Sequence, residues 1–237
     1  MLVLEISILI DATKKINNKY EIYFIIYYIM KNFVFISLGP NCHTAGILKK
    51  LGYKKESYPL DWMLTNIKII NYLILNDFSE FLDRNNYYKK DNNISLINKN
   101  IEYLNKMFAH RDPVDNESDF LYTIRCVNRF NNLKQDNRCK LFFHTIYNNE
   151  YNEKRKEIEE LNVLLKKKFK NYKLVIINYI KTDDVNINNL YKVEFQEIIF
   201  IRIYIMYNQT IDYALDKSIF EFYAINNPIE EIIKKLC

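Results

Sequence analysis

The chain has 237 residues, of which 49% are hydrophobic and 15% aromatic, and this content is sufficient for one globular domain with a sizeable core. Its net charge of +5 does not by itself indicate a nucleic-acid partner, because a lysine-rich composition produces the same value and such a site needs the charge concentrated on one face. The 4 cysteines lie far apart, which excludes a disulfide-rich secreted protein and favours an intracellular, reduced one.

Residues 1–29 are predicted to be an N-terminal extension that is not part of the fold, and residues 30–237 are predicted to form a single domain. The apolar run Ile22–Met30 is too short to span a bilayer, and no basic region followed by a small-residue cleavage site indicates a signal peptide. Met30 stands immediately before the first predicted strand. We therefore expect a folded domain without a membrane partner.

The stretch of residues 33–62 holds all 3 glycines of the chain and its only tryptophan. Glycine persists where the backbone needs a left-handed conformation or a close approach. Phe33–Leu38 has the length and apolar character of a strand, and Gly39-Pro40-Asn41 is turn chemistry. His43–Leu51 then follows helical spacing until Gly52 supplies a left-handed stop. The sequence therefore predicts a strand, a tight turn and a helix.

Cys42 is predicted to lie in the first turn of this helix. Free backbone N–H groups and the positive end of the helix dipole favour an anion there, so we expect a lowered pKa of the thiol and a nucleophilic sulfur. Ala45 and Gly46 leave the same helix face bare, either for a substrate or for close packing on a strand. The glycine spacing excludes a dinucleotide fingerprint and a phosphate loop. What remains is an arrangement typical of hydrolases with an exposed Ser or Cys.

Beyond this stretch the pattern alternates between helices and strands. Asn66–Asp83 has helical spacing, Asn85–Asn100 is aperiodic and is predicted to be a surface loop, and Asn116 begins another helix. The later predicted elements are a strand at Lys140–Tyr147, a helix at Tyr151–Lys168, strands at Lys173–Ile180 and Ile198–Met206, and a terminal helix that starts at Pro228. Strands that are apolar on both faces and separated by a helix indicate a parallel sheet.

The predicted fold class is therefore α/β, as a single three-layer domain with a mostly parallel sheet and helices on both faces. Right-handed crossovers place the Phe33 strand beside the Lys140 strand or one strand away from it.

Two motifs resemble a known family. S-L-G-x-x-C at Ser37–Cys42 and S-x-P-[FL]-D-W at Ser57–Trp62 resemble a family of uncharacterised bacterial and large-DNA-virus proteins catalogued as putative papain-like cysteine peptidases. Tyr122-x-x-Arg125-x-x-x-Arg129 and His110 resemble its downstream motifs, although Arg111 interrupts the usual His-Asp pair. The resemblance covers roughly residues 30–150. It implies a cysteine nucleophile and, for a viral protein, a location in the host cytoplasm.

A cysteine nucleophile needs a base, and the chain has 3 histidines. His43 adjoins Cys42, but neighbouring helix positions point about 100° apart, so it is a poor partner. His144 lies in a strand whose late residues approach the carboxyl edge of the sheet, and His110 lies in a loop matched by the family. Asp61 is the candidate to orient the imidazole, and the alternative for it is a turn carboxylate.

The sequence thus predicts a cysteine-dependent hydrolase, either peptidase-like or an acyl transferase, that acts on a peptide or acyl compound. We expect no cofactor, and a zinc site from Cys126, Cys139, His110 and His144 is disfavoured because no two of them are closely spaced. The alternative is a non-enzymatic α/β interaction module or a carbohydrate-pathway binding module. A nucleic-acid binder is the weakest interpretation.

Overall fold

The computed structural model of the protein describes residues 31–90, 93–96, 106–148, 150–184, 191–206 and 228–236. The strands are β1 (Phe33–Ser37), β2 (Tyr87–Lys90), β3 (Asn93–Leu96), β4 (Cys139–Tyr147), β5 (Tyr172–Thr182), β6 (Tyr191–Phe195) and β7 (Ile199–Met206). The helices are α1 (Cys42–Lys50), α2 (Ile67–Leu75), α3 (Glu117–Asn132), α4 (Glu150–Lys168) and α5 (Pro228–Leu236). The extension predicted at residues 1–29 lies outside the described residues.

Five strands form one sheet in the order β1-β4-β5-β7-β6. The first four of these are parallel, and β6 pairs antiparallel with β7 at one edge. β1 forms the other edge, and its last residue, Ser37, aligns with Phe143 in the middle of β4. The predicted α/β class, the mostly parallel sheet and the position of the first strand beside the Lys140 strand are therefore confirmed.

Apolar side chains alternate between the two faces of the sheet and build one core on each. Val34, Phe142 and Ile176 point into a core that they share with α2, α3 and α4. Phe35 and Phe143 point into the opposite core, which contains α1 and α5. The molecule therefore has three layers, and α1 is separated by the sheet from α2, α3 and α4.

Asparagine side chains begin three of the helices. Asn41 accepts a hydrogen bond from the His43 amide, Asn66 accepts one from the Ile69 amide, and Asn116 accepts one from the Ser118 amide. Each satisfies an amide that has no partner within the helix. At the other end of α1, Gly52 has φ +77°, so the predicted left-handed stop is present.

The helix predicted at Asn66–Asp83 ends earlier, at Leu75. Asp77 and Phe78 adopt φ values of +52° and +58°, which a right-handed helix cannot continue. Phe81 is nevertheless fully buried, because a short 3-10 turn at Ser79–Leu82 carries it back into the core. The helical spacing of apolar residues in this segment therefore identifies the side chains that are buried, but it does not show that they belong to one continuous helix.

The surface loop predicted at Asn85–Asn100 contains the hairpin of β2 and β3, so this expectation is wrong in part. Tyr87, Ile94 and Leu96 are buried, and they anchor the hairpin on the core that also contains α2. Two four-residue strands with so few apolar positions give no periodic signal.

The segment from Tyr53 to Tyr58 passes around the free side of β1. Tyr53 stacks on Phe35 in the α1 core, with ring centroids 4.8 Å apart, whereas Tyr58 belongs to the opposite core. Because β1 is the edge strand, a chain that joins the two cores over so few residues must cross that edge. No helix in the described part of the chain is both long and apolar enough to cross a membrane.

Candidate active site

The turn between β1 and α1 has a shape that requires glycine. Gly39 has φ +82°, and a Cβ atom at this position would lie 2.6 Å from Thr65 Oγ1. The Gly39–Pro40 peptide bond is cis. The Gly39 carbonyl accepts the Thr145 amide at 3.3 Å, which fastens the turn to β4. Cys42 follows as the first residue of α1, so the predicted strand, turn and helix are all present.

Cys42 is half-buried at the carboxyl edge of the sheet. Burial raises the pKa of its thiol above the ordinary value, and a backbone hydrogen bond acts in the opposite direction with a smaller effect. The predicted lowering of this pKa is therefore not what the structure supports. The start of the helix acts as expected, but the loss of water around the sulfur outweighs it. A thiol in this state needs a base to remove its proton.

The side chains of His43 and Thr44 turn inward, towards the sheet. His43 Nε2 lies 2.9 Å from the Tyr179 hydroxyl on β5. Thr44 Oγ1 lies 2.7 Å from Thr145 Oγ1 on β4 and donates to the Gly39 carbonyl at 3.2 Å. His43 and Thr44 therefore both contact the sheet.

His144 lies one residue beyond the last β1–β4 pair, at the level where β1 ends. Its Nδ1 is 3.4 Å from the Leu38 carbonyl oxygen. Burial lowers the pKa of His144 to about 4, so the imidazole is neutral at pH 7. On β4 it points to the same side as Phe142 and Ile146, away from the core that contains α1. The structure thus brings His144 to the level of the Cys42 turn in a fully buried position.

His110 is exposed, and its ring meets Trp62 edge to face with centroids 6.3 Å apart. The segment that carries His110 pairs antiparallel with residues 63–64. Thr65, at the far end of this pair, donates its amide to the Pro40 carbonyl at 2.7 Å. His110 therefore lies at the Trp62 end of the segment, and the other end contacts the turn before Cys42.

The two residues after His110 stabilise the loop that carries it. The Arg111 guanidinium lies 3.5 Å from the centroid of the Tyr122 ring and donates to Asp119 at 2.8 Å. Asp112 accepts an ammonium hydrogen bond from Lys89 and the backbone amides of residues 114 and 115. Burial alone would raise the pKa of Asp112, but the hydrogen bonds from these groups and the charge of Lys89 together outweigh it and hold this pKa below its ordinary value. Both residues thus have structural roles.

Asp61 is fully buried and forms an ion pair with Lys54, whose side chain is also buried. The same carboxylate oxygen accepts the Tyr58 amide at 2.6 Å. Burial raises the pKa of Asp61 to about 6, against the attraction of Lys54. Among the described residues its second oxygen, Oδ1, has no hydrogen-bond partner. The structure therefore pairs Asp61 with a lysine in the loop that wraps around β1.

The third family motif packs against the second. Arg129 donates to the Ser57 carbonyl at 3.3 Å, and Cys126 is buried on the same stripe of α3. Burial raises the pKa of the Cys126 thiol, as expected for an inert core cysteine. Arg125 is exposed. A cavity of about 20 Å³, enough for one water molecule, separates this stripe from the Ser57–Trp62 loop.

Sequence reasoning missed Lys54, Thr145 and Tyr179. Lys54 lies only seven positions before Asp61, and a lysine so close to the carboxylate of the Ser57–Trp62 motif could have indicated an ion pair between them. Thr145 and Tyr179 are far from Cys42 in the chain, so only the strand register identifies them. The described residues contain no group of three or more His, Cys, Asp or Glu side chains that could hold a metal ion.

A family model with the description "Putative papain-like cysteine peptidase (DUF1796)" matches residues 33–221. The chain belongs to this family. The match begins at β1 and contains both the Ser37–Cys42 and the Ser57–Trp62 motifs, so the resemblance drawn from them is confirmed. Membership supports a cysteine-hydrolase-like function for the family as a whole.

An uncharacterised protein of Acanthamoeba polyphaga mimivirus is 32% identical to the chain over 109 residues, which is 38% of this chain and 48% of the relative. The chain thus matches about half the length of this curated relative, which is a viral protein. No solved structure matches the chain. The catalytic roles of Cys42, His110, His144 and Asp61 remain predictions.

Proposed function

We propose that the protein is a cysteine-dependent hydrolase or acyl transferase with Cys42 as its nucleophile. The observation that carries this proposal is the position of Cys42, half-buried at the first residue of α1 and directly after a strand that ends at the carboxyl edge of the sheet. Ligands of open α/β sheets bind at this edge. Family membership supports the same class of chemistry.

In the proposed reaction the Cys42 sulfur attacks a carbonyl carbon while a histidine takes the thiol proton. The carbonyl oxygen becomes an oxyanion, and N–H groups at the start of α1 stabilise it, apart from that of His43, which donates to Asn41. Collapse of this intermediate breaks the bond to the leaving group, which takes the proton from the imidazolium. Water or an acceptor then releases the acyl group from the thioester.

The structure offers one argument for each candidate base. His144 lies at the level of the Cys42 turn and is neutral at pH 7, which is the form that accepts a proton. His110 is exposed and is matched by the downstream motif of the family, but it lies at the Trp62 end of its segment. We place His144 first because the strand register alone brings it to the level of the turn, with its imidazole on the face of the sheet opposite α1. Asp61 is paired with Lys54, so we propose that it stabilises the loop and does not orient the base.

The competing function is a non-enzymatic binding module, in which the turn only shapes the sheet edge. The raised pKa of Cys42 together with the low pKa of His144 favours this alternative, because a proton does not pass spontaneously from such a thiol to such an imidazole. The two functions predict different behaviour towards an activated ester.

The test is the reaction with p-nitrophenyl acetate, followed by mass spectrometry of the protein. We expect a burst of p-nitrophenol with one acetyl group on Cys42, and a loss of turnover of at least about 100-fold in Cys42→Ala. Cys126→Ala is the matched control, because its thiol is buried in the core, and it should retain turnover. His144→Gln and His110→Gln identify the base by which of them slows acylation. Turnover that survives in Cys42→Ala would falsify the proposal.

A further inference from the structure

The two residues that follow Cys42 connect the start of α1 to two different strands. His43 is 2% exposed and Thr44 is fully buried, whereas Cys42 remains half-buried. His43 reaches Tyr179 on β5, and Thr44 reaches Thr145 on β4. The first turn of the helix is therefore held at two points on the sheet, one on each strand.

Two such contacts determine the direction in which the Cα–Cβ bond of Cys42 leaves the helix. Successive positions on a helix are rotated by about 100°, so fixing the two neighbouring side chains against the sheet fixes the rotation of the first turn about the helix axis. The Thr44 hydroxyl also donates to the Gly39 carbonyl, which ties the same turn to the loop before it. The Cα–Cβ bond of Cys42 therefore keeps its direction relative to the sheet as long as these hydrogen bonds persist.

Tyr179 is a rigid support for this arrangement. Its side chain is fully buried, and its ring stacks on Tyr147 with centroids 5.9 Å apart and an interplanar angle of 17°. Tyr147 and Tyr179 are also register partners on β4 and β5. The hydroxyl of Tyr179 is thus presented to His43 by two adjacent strands. Removing that hydroxyl takes a hydrogen bond from a buried imidazole, which is costly in an interior that water does not reach.

We propose that Tyr179 is a positioning residue for Cys42 and acts through His43. This inference rests on the proposed function, since it assigns the role to a nucleophile. Tyr179 holds the imidazole, the imidazole holds the first turn of α1, and the turn sets both the direction and the burial of the thiol. Loss of the Tyr179 hydroxyl loosens the turn, exposes the sulfur to water and moves its pKa towards that of a free cysteine.

The experiment measures the rate of iodoacetamide alkylation of Cys42 against pH by mass spectrometry, in Tyr179→Phe and in the wild type. Cys126, in the core on the other side of the sheet, is read in the same sample and reports any global unfolding. We expect Cys42 in Tyr179→Phe to react at least about fivefold faster at pH 8, with its midpoint at lower pH and an unchanged rate at Cys126. Turnover of p-nitrophenyl acetate should fall in the same variant.

Tyr172→Phe is the matched control. Tyr172 also lies on β5, and its hydroxyl bonds to Asn162 on α4, on the face of the sheet away from Cys42. This variant should leave the Cys42 profile as in the wild type. The proposal is overturned if Tyr179→Phe does not change the Cys42 profile, or if Tyr172→Phe changes it equally.

A second pair of variants covers the case in which Tyr179→Phe does not fold. Thr145→Ser keeps the hydroxyl that meets Thr44, and Thr145→Val removes it at nearly constant volume. We expect wild-type alkylation of Cys42 in the first and faster alkylation in the second, and equal rates in the two would overturn the two-point attachment. Alkylation does not require catalysis. A wild type that forms no acetyl-enzyme but shows the alkylation pattern would therefore reject the proposed function and leave the positioning role intact.

Discussion

The Ser37–Cys42 turn and the Ser57–Trp62 loop both carry a motif of the family, and they use their reactive side chains in opposite ways. The turn leaves the Cys42 thiol half-buried at the sheet edge and fixes it through backbone and neighbouring side chains. The loop encloses the Asp61 carboxylate completely, in an ion pair with Lys54. One motif leaves its reactive atom partly accessible at the sheet edge, and the other uses its buried charge to hold a segment of chain. A motif match alone does not distinguish these uses, whereas burial and partners do.

The largest expected effect is the destabilisation caused by Asp61→Ala, which tests whether Asp61 has a structural role. The substitution leaves the Lys54 ammonium buried without its partner, and we expect a loss of about 3 to 5 kcal/mol in the free energy of unfolding. Urea denaturation measures it. The double variant Lys54→Met with Asp61→Leu is the control, and it should be much less destabilised because no charge remains buried. A stable Asp61→Ala protein that has lost turnover would instead place Asp61 in the catalytic group.

The contributions of Asp61 and His144 to stability depend on pH with opposite signs. Burial raises the pKa of Asp61 from 3.8 to about 6, so the folded state binds this proton more tightly than the unfolded state does. The contribution of Asp61 to stability is therefore greatest below about pH 4 and falls by about 3 kcal/mol as the pH rises through 6. Burial lowers the pKa of His144 from 6.5 to about 4, so its contribution is present above pH 6.5 and is lost by a similar amount as the pH falls to 4.

These two slopes oppose each other over the same pH range, so the wild type should show a small net slope. In Asp61→Asn the His144 slope remains, and the free energy of unfolding should rise with pH between 4 and 6.5. In His144→Gln it should fall over that range. Urea denaturation at a series of pH values checks both, and the same slope in the two variants would contradict the assigned pKa directions.

The smallest of the expected effects concerns the turn itself. Gly39→Ala introduces a Cβ atom 2.6 Å from Thr65 Oγ1 at a positive φ, and we expect a loss of about 2 to 3 kcal/mol. Gly52→Ala is the matched control, since Gly52 has a similar φ of +77° with no atom within 4 Å of the new Cβ. It should lose about 1 kcal/mol from backbone strain alone. Equal losses in thermal or urea denaturation would show that the contact with Thr65 is not restrictive.

The sequence predicted the framework of the fold because its strands carry their own signal. Lys140–Tyr147 and Lys173–Ile180 are apolar on both faces, and they appear as β4 and β5 with ends shifted by two residues or fewer. The start and stop of α1 were also predictable, from Asn41 and Gly52. The β2–β3 hairpin and the edge strand β6 were missed, because short, partly polar strands become ordered only through their partners.

The candidate site was less predictable, because its chemistry depends on tertiary contacts. The helix start indicated a lowered pKa for Cys42, but that argument contains no information on how much of the thiol is buried, and burial decides the direction. His144 was placed correctly at the level of the turn. Side chains alternate between the two faces of the sheet along β4, so His144 shares a face with Phe142 and Ile146. The sequence does not show which of the two faces α1 covers, and the structure places α1 on the opposite one.

The path of the Tyr53–Tyr58 segment has a consequence for the behaviour of the protein in concentrated solution. Among the described strands β1 lies at the edge of its sheet, and an edge strand whose backbone groups are unpaired can pair with the same strand of another molecule and begin aggregation. The Tyr53–Tyr58 segment covers that edge, and a cavity of about 270 Å³ lined by Phe33, Val34 and Phe35 lies between the segment and β1. The Lys54–Asp61 ion pair holds this segment in position. A protein that loses this pair is therefore expected to self-associate through β1 before the rest of its sheet unfolds.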